Sequence, residues 1–449
     1  MPEQQLRILQ VNTEDAGGGA EGSTWNLFQA YQAHGHQSWL AVGRQRTTNP
    51  NVFLIPNQRY HTAWTRFWFA RSNQLKPYLG KIKGLGRLYT GLRLLGEPRR
   101  IPGWLRGWED FDYPGTQHLL DLPPVLPNIL HCHNLHGGYF DLTCLPGLSQ
   151  KLPVILNLRD AWLLSGHCAH SLDCQRWRTG CGQCPHLGTY PAVMRDATAF
   201  NWQRKQSIFA GGRFYITTIS QWLMDKVRAS MVRGVDYRVI PNAINLDIYR
   251  PGAKLQARQS LGLPPQAKIV LFTAHNEFKD HATMKQAVAL LRATTPTAPL
   301  LFVCLGRRGA NAPCGQGHML YPGFLWQPDQ IALYYQAADV YLHAAFDESF
   351  GKSVAEALAC AIPVVATAVG GISEQIEHER TGFLTPPQDA PALAHWLQKL
   401  LDDAELAAKI GQAAVQSAQQ RFGLERQVRD FLEWYAEILD GWPGSKSNS

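Results

Sequence analysis

Short runs of β-forming residues alternate with helical patterns along most of this chain, and that alternation limits the folds open to it. The first half offers Leu6–Asn12, Gln37–Gly43, Asn128–Asn134, Val154–Asp160, Tyr215–Ser220 and Arg238–Asn242. The second offers Lys268–Ala274, Leu300–Gly306, Val340–Ala344 and Pro363–Thr367. Strands separated by helices build parallel sheets covered on both faces. The 449 residues exceed what one ordinary core accommodates. Two such series therefore predict two α/β domains of the Rossmann kind. The stretch PNAINLDIYRPG (Pro241–Gly252), with its Pro and Asn turn signals, reads as the linker. The expected division is 1–245, then 246–424, then a C-terminal segment 425–449. That segment comprises an amphipathic helix, Leu424–Leu439, and a polar tail, GWPGSKSNS.

Composition narrows the class. Apolar residues make up 45% of the chain, which excludes a disordered protein. No run of about 18 apolar residues is free of charge, so no transmembrane helix is expected. The opening MPEQQLRILQVN runs directly into a strand without a signal-peptide layout, and a cytoplasmic location is the expectation. The net charge of +8 is unevenly spread. Between Arg59 and Trp108 eleven basic residues face the single acid Glu97, a local +10 that leaves about −2 for the rest. The same segment holds Trp64, Phe67, Trp68, Phe69, Trp104 and Trp108. Basic and aromatic together suit an anionic membrane surface or an anionic acceptor. A lopsided solvated insertion has the same composition. No nucleic-acid motif accompanies it.

The most informative stretch is DESFGKSVAEALACAIPVVATAVGG, Asp347–Gly371. Glu348 and Glu356 bracket Gly351. Were both helical, eight steps of about 100° would leave them roughly 80° apart and two turns distant. The expected arrangement places Glu348 in the loop after strand Val340–Ala344 and Glu356 on the first or second turn of a helix covering Ser353–Cys360. Ligands on such sheets bind beyond the carboxyl ends of the strands. Gly351 allows a close backbone approach, and amides near Gly351, Lys352 and Ser353 favour an anion at the helix start. A carboxylate one turn in does not suit phosphate but accepts hydrogen bonds from neighbouring ribose hydroxyls. The pattern thus holds a nucleoside diphosphate by phosphates and ribose. Solvated acids in an ordinary helix are the plainer alternative. In the first half, Gly17–Gly18–Gly19 lies between the first strand and a helix. It lacks both the dinucleotide fingerprint and a Walker lysine, so an ATPase is not expected.

Taken together, these motifs resemble the retaining glycosyltransferases of family 4. The carriers are GGGAE followed by AHGH, VIPNAINLDIYRP, and DESFGKSVAEALACAIPVVATAVGGISEQIEHERTGFL, in that order over nearly the whole chain. ILHCHNLHGGYF and DAWLLSGHCAHSLDCQRWRTGCGQCP resemble the subgroup that builds bacterial exopolysaccharides of the colanic-acid type. The resemblance implies a GT-B fold, two Rossmann-like domains facing a central cleft, with the C-terminal helix returning to the first. It implies a nucleotide-sugar donor, UDP- or GDP-linked, held by Gly18, Gly19, Lys279, Ser349, Phe350, Gly351, Lys352, Ser353 and Glu356. It places Glu348 and the Arg159–Asp160 pair at the reacting sugar. Transfer would retain anomeric configuration without a catalytic metal or other required cofactor, to a glycan or lipid-linked acceptor. His133 and Asn134 are acceptor candidates; a histidine there without a role reads equally well.

Two departures stand out. Family members commonly carry His before the Asp of the motif matching NLRDAW, where this chain has Arg159, and arginine does not serve as a base. They often carry Arg and Lys after the first strand of the second domain. Here LFTAHNEFKDHATMK offers Lys279, then Lys285. A non-catalytic donor-binding or scaffold homologue and a sugar-nucleotide epimerase are therefore the rival readings.

Four of nine cysteines cluster as Cys168, Cys174, Cys181 and Cys184. Four thiolates with a terminal C-x-x-C suit a tetrahedral structural zinc, with His167 or His170 able to replace one. Disulfide or redox pairs and unligated thiols are the alternatives. A general disulfide framework is not expected.

Overall fold

The computed structural model describes residues 5–79, 81–274, 278–293 and 298–443. The polar tail from residue 444 onward lies outside the described residues, as do positions 275–277 in the loop that was to hold diphosphate cations.

The chain divides into two units. Unit 1 comprises residues 1–217, 225–238 and 435–449; unit 2 comprises 218–224 and 239–434. The sheet of unit 1 has seven strands, in chain order β1 Arg7–Glu14, β2 Gln37–Arg44, β3 Val52–Leu54, β4 Ile129–Cys132, β5 Val154–Leu158, β6 Phe214–Thr218 and β7 Asp236–Val239. Their spatial order is β3-β2-β1-β4-β5-β6-β7. In unit 2 the strands are β8 Lys268–Thr273, β9 Leu300–Leu305, β10 Ala312–Cys314, β11 Gly317–Gly323, β12 Val340–His343, β13 Val364–Thr367 and β14 Gly382–Thr385. Their order is β10-β11-β9-β8-β12-β13-β14. Pairing is parallel from β11 through β14, and among the described strands of this sheet the β10–β11 hairpin runs antiparallel. Both sheets therefore reverse direction of growth once, between β1 and β4 and between β8 and β12. Those reversals are where open α/β sheets leave a crevice for ligand.

All ten expected strands are present, with ends shifted by up to three residues, the largest shift being at Arg238–Asn242, observed as Asp236–Val239. Four further strands, β3, β10, β11 and β14, had no clear signal. β3 and β10 are three residues long, β11 begins and ends on glycine, and β14 begins on one. Their partners hold them: β14, for instance, pairs Val364 with Gly382 through Thr367 with Thr385. The central strands are buried on both faces, as parallel sheets require. In unit 2 Val270, Phe272, Phe302, Val340, Leu342 and Val365 meet Leu393, Leu397 and Leu400 from helix Ala390–Asp402 in one core.

The segment read as a linker is held firmly within unit 2. Ile244 donates its amide to Phe422 O at 2.9 Å. The Pro241 carbonyl accepts from Arg426 Nη2 at 2.8 Å and Gln427 Nε2 at 2.9 Å. The helix Leu424–Asp440 begins in unit 2, while its residues from Tyr435 on group with unit 1. There the Tyr435 hydroxyl meets His131 Nδ1 at 2.6 Å and the Tyr31 hydroxyl at 3.1 Å.

Candidate functional site

In unit 2 the chain leaving β8 and the chain leaving β12 continue side by side past the sheet. Asp280 N donates to Ala344 O at 3.0 Å and Phe346 N to Phe278 O at 2.9 Å, so that Lys279 bridges to Ala345. This local zipper sets Lys279 and Glu348 against each other at the strand reversal. Lys279 is buried; its Nζ pairs with Glu348 Oε2 and lies 3.3 Å from His343 Nε2. Glu348 Oε1 accepts from Gly351 N at 3.2 Å. Gly351 is the N-cap of helix Lys352–Ala359, at φ +76°. A Cβ there would stand 2.2 Å from Ile372 Cδ1, so a side chain would be strained by conformation and would need the end of Ile372 to shift.

Glu348 thus lies in the loop, and Glu356 is the fifth residue of the helix, on its second turn. Glu356 is nearly enclosed. Its Oε2 accepts from the Tyr335 hydroxyl at 3.1 Å, and Lys352 Nζ stands 3.7 Å from Oε1. Burial raises its pKa, against the lowering by Lys352 and the hydroxyls of Tyr335 and Tyr249. Ser349 and Phe350, also expected at the donor, are buried. Phe350 packs edge-on against Phe422 at 5.7 Å, and its carbonyl accepts from Gln375. Their side chains build the loop's foundation. Lys285 is exposed on helix His281–Ala289, so Lys279 is the cation of this cluster. His343 was not anticipated; its only signal was its place as the last residue of β12.

In unit 1 the corresponding ends of β1, β4 and β5 carry the second group of candidates. The Gly17–Gly19 loop is exposed, with Gly17 at φ +141° and Gly18 capping helix Gly19–Ala33. That helix carries Glu21 in its first turn, an acid where a phosphate would prefer none.

Arg159 and His133 are turned inward. Arg159 is 8% exposed, and its Nη2 stands 3.2 Å from His133 Nδ1. Burial pulls the Arg159 pKa down to about 10, against Glu21 and Asp160. His133 Nε2 meets Gln10 Oε1 at 3.0 Å. Burial, with His131 and Arg159 nearby, holds its pKa well below the usual imidazole value. Both side chains are buried, and His133 is also within reach of Asn157 Nδ2 at 3.4 Å. Asn134 contributes its carbonyl, which accepts from the Thr13 hydroxyl at 3.2 Å and from the Tyr139 hydroxyl.

Asp160 has a different partner. Its Oδ2 meets His136 Nε2 at 2.8 Å, and its Oδ1 accepts from Trp162 N at 2.9 Å. Burial favours the neutral acid, yet facing His136 and these hydrogen bonds hold the Asp160 pKa below its ordinary value. His136 is shifted up in turn: burial opposes the charge, and Asp160 outweighs it. His136 lies within the HCHNLHGG stretch but had not been singled out, because its partner is 24 residues away.

The four clustered cysteines line one small cavity together with His167 and Trp177; His170 is not part of the lining. All are free thiols, so none of the disulfide pairs is formed. His167 Nδ1 meets the Pro191 carbonyl at 2.8 Å, and its Nε2 stands 3.5 Å from Cys184 Sγ. Gly166 N donates to Cys181 Sγ at 3.3 Å and His186 N to Cys184 Sγ at 3.4 Å. Among the described residues no three His, Cys, Asp or Glu side chains stand ready-made around a metal ion. No helix among them is long and apolar enough to cross a membrane.

Known proteins resemble this arrangement. Residues 254–417 match the family described as glycosyl transferases group 1. D-inositol 3-phosphate glycosyltransferase of Thermobispora bispora is 32% identical over 224 residues, covering 45% of this chain and 50% of that protein. The chain thus spans about half the length of the curated relatives it matches. Sucrose-phosphate synthase from Thermosynechococcus elongatus superposes with a TM-score of 0.61 at 20% identity, covering 98% of this chain and all of that one. Anabaena HepE, solved with UDP-glucose, gives 0.60 at 17% identity, covering 97% and 100%. The two Rossmann-like units are those of the GT-B fold.

Proposed function

We propose that this chain is a retaining glycosyltransferase, moving a hexosyl unit from a nucleotide-diphosphate sugar to a glycan or lipid-linked acceptor in polysaccharide synthesis, without a catalytic metal. One observation carries the reading. At the β8–β12 reversal, inside the segment matching glycosyl transferases group 1, Lys279, Glu348, Gly351 and the start of helix Lys352–Ala359 converge. Lys279 supplies a cation for the leaving diphosphate, whose growing charge the first-turn amides also face. In this reading Glu348 meets hydroxyls of the donor sugar and Glu356 those of the ribose.

The test is a thermal-shift and calorimetric screen of UDP-, GDP- and ADP-sugars without added metal, followed by transfer assays. A ligand at 100 times its Kd stabilises the native state by about 2.7 kcal/mol. Selective stabilisation by one base, with transfer, is the expected result. Binding without transfer supports the scaffold alternative, and free nucleotide without acceptor product supports the epimerase. Glu356→Gln is expected to weaken nucleotide binding roughly 10- to 100-fold, the value of a hydrogen bond to a charged group. Tyr335→Phe loses the internal bond to Glu356 but keeps the carboxylate, and should bind nearly as wild type. Unchanged affinity in Glu356→Gln removes the ribose assignment.

The basic segment of unit 1 is proposed to rest on an anionic membrane surface. Helices Ala63–Asn73 and Leu85–Gly96 are joined by Trp64 Nε1 donating to Leu95 O at 2.7 Å. Around that bond Trp64, Phe67, Leu88 and Leu95 are each about half exposed (56%, 51%, 53% and 47%). Phe69 faces inward with Arg93 stacked on it at 3.8 Å, so the lipid-facing cations are others. Lys83 and Arg87 are exposed. At about 1 kcal/mol per basic residue near an anionic surface, Lys83→Ala/Arg87→Ala should weaken binding to phosphatidylserine vesicles roughly thirtyfold. Equal sedimentation with both vesicle types, anionic and neutral, would count against this surface.

The cysteine-lined cavity is proposed to seat a structural zinc. His167 supports it, since a ring nitrogen tied to a carbonyl fixes the tautomer whose other nitrogen faces Cys184. Binding would draw the thiols inward. One zinc per purified chain, lost in Cys181→Ser, is expected; metal-free protein with nine reactive thiols after denaturation would remove the proposal.

A further inference from the structure

His136 and Asp160 form an imidazole–carboxylate pair at the carboxyl ends of β4 and β5. Their side chains keep 13% and 20% exposure, whereas the neighbouring Arg159 and His133 are buried. The pair is built with care. Asp160 is fixed by Trp162 N on one oxygen and by His136 Nε2 on the other. The His136 ring is set edge-on to Trp162 at 5.5 Å and to Tyr190 at 5.5 Å. The loop bearing it is pinned by the Thr13 hydroxyl, 3.3 Å from the His136 carbonyl. Gly137 and Gly138 follow at φ +103° and +76°; a Cβ would meet Thr13 Cγ2 at 3.1 Å and the Tyr113 hydroxyl at 3.0 Å.

With its Nε2 proton directed at Asp160, the ring presents Nδ1 as an acceptor. The group there is the Tyr190 hydroxyl at 3.3 Å, a long hydrogen bond from a residue that is itself half exposed. The partner of Nδ1 is thus a hydroxyl on a half-exposed side chain.

We propose that His136 Nδ1 accepts a hydrogen bond from a hydroxyl of the sugar acceptor, with Asp160 as the residue that positions the ring. No bond is broken in this contact; it orients the hydroxyl and polarises its O–H. The inference rests on the glycosyltransferase reading and moves the acceptor contact from His133, which is buried, to His136.

The protonation state supplies the discriminating readout. Only neutral His136 can accept. Its charge is favoured by Asp160 and Glu21 and opposed by burial and Lys205; Tyr190 and the non-titrating Trp162 complete its surroundings. Because the imidazolium is stabilised, acceptor binding should strengthen as pH rises through an inflection above the ordinary imidazole value. Removing the Asp160 charge should move that inflection to lower pH.

The experiment uses the full chain with the donor found in the screen. Acceptor KM and kcat are measured against pH, donor affinity by calorimetry, and the His136 ring by NMR, assigned through its loss in His136→Gln. His136→Gln is expected to raise acceptor KM by up to about tenfold, remove the inflection and leave donor affinity unchanged. Asp160→Asn should shift both the inflection and the ring titration downward; Tyr190→Phe should leave the inflection in place. An unaltered pH profile in His136→Gln, or a loss of donor affinity in its place, overturns the proposal. Absence of any transfer by the wild-type chain overturns the glycosyltransferase reading instead. The NMR arm then decides alone: a His136 ring that does not respond to millimolar hexoses and methyl hexosides overturns the contact.

Discussion

Gly370→Ala is expected to cost about 100-fold in sugar transfer while lowering stability only modestly. Gly370 sits at φ +51° in the turn after β13, and a Cβ there would stand 2.0 Å from the Glu348 carbonyl oxygen. Gly371 N donates to that same oxygen at 2.9 Å. The Gly-Gly turn is therefore the floor on which the Glu348 loop lies. An added methyl must push the loop away by about 1 Å, because no real Cβ tolerates such a contact. Overpacking of this kind costs roughly 1–3 kcal/mol in stability. The displacement itself matters more, since it moves Glu348 relative to Lys279 and to Gly351 N, and a 1 Å misplacement can cost on the order of 100-fold. Gly147→Ala is the control: in helix Leu145–Lys151 a Cβ at Gly147 meets nothing within 4 Å, so it should be neutral or slightly stabilising. Wild-type transfer and nucleotide affinity in Gly370→Ala would mean that the loop's position does not hold the site.

The sequence made this turn visible but not its purpose. Gly-Gly after an apolar run signals a turn by local chemistry alone, whereas the atom beneath Gly370 belongs to a residue 22 positions earlier. The same division runs through the molecule. The ten expected strands were legible because they are continuous apolar runs buried on both faces, as Val270, Phe272, Val340 and Leu342 illustrate. β3, β10, β11 and β14 were not: β3 and β10 are only three residues long, β11 and β14 start on glycine, and all four owe their conformation to a neighbour's hydrogen bonds. Around the site, Glu348, Gly351 and Glu356 were legible from spacing along one loop and helix. Which ionisable side chains face solvent was not. Arg159 and Asp160 are adjacent in sequence, yet one is locked against His133 and the other pairs with His136, since alternate residues past a strand end point to different sides. Lys205, in the helical run AFNWQRKQ, carried every sign of a solvated lysine.

Lys205 is in fact fully buried, and Lys205→Met is expected to destabilise unit 1 by about 3–5 kcal/mol. Its Nζ lies 2.8 Å from Glu109 Oε2 and 3.1 Å from Oε1, and donates to Trp162 O at 2.8 Å and Ser165 O at 3.0 Å. The ammonium also stands 4.1 Å from the Trp162 ring centroid, and Trp162 Nε1 donates to Glu109 at 2.6 Å. Burial works against both charges, lowering the Lys205 pKa and raising that of Glu109, while each partner pulls the other back towards its ionised form. Methionine matches the stem of lysine, so packing is largely kept while Glu109 is left enclosed without its cation. The Trp162 and Ser165 carbonyls each lose one donor as well, Trp162 O keeping the longer bonds from Ser165 N and Oγ, and both belong to the loop that follows Asp160. At roughly 2–4 °C per kcal/mol for a domain of this size, the midpoint of thermal unfolding should fall by about 10 °C. The double change Lys205→Met/Glu109→Leu removes both charges together and should recover most of that loss, since a buried ion pair replaced whole by apolar groups is often neutral or better. A single variant that unfolds within about 1 °C of wild type would show that the pair is not a structural clamp. A double variant no better than the single one would place the cost in the two carbonyls and the Trp162 indole instead of the unpaired carboxylate.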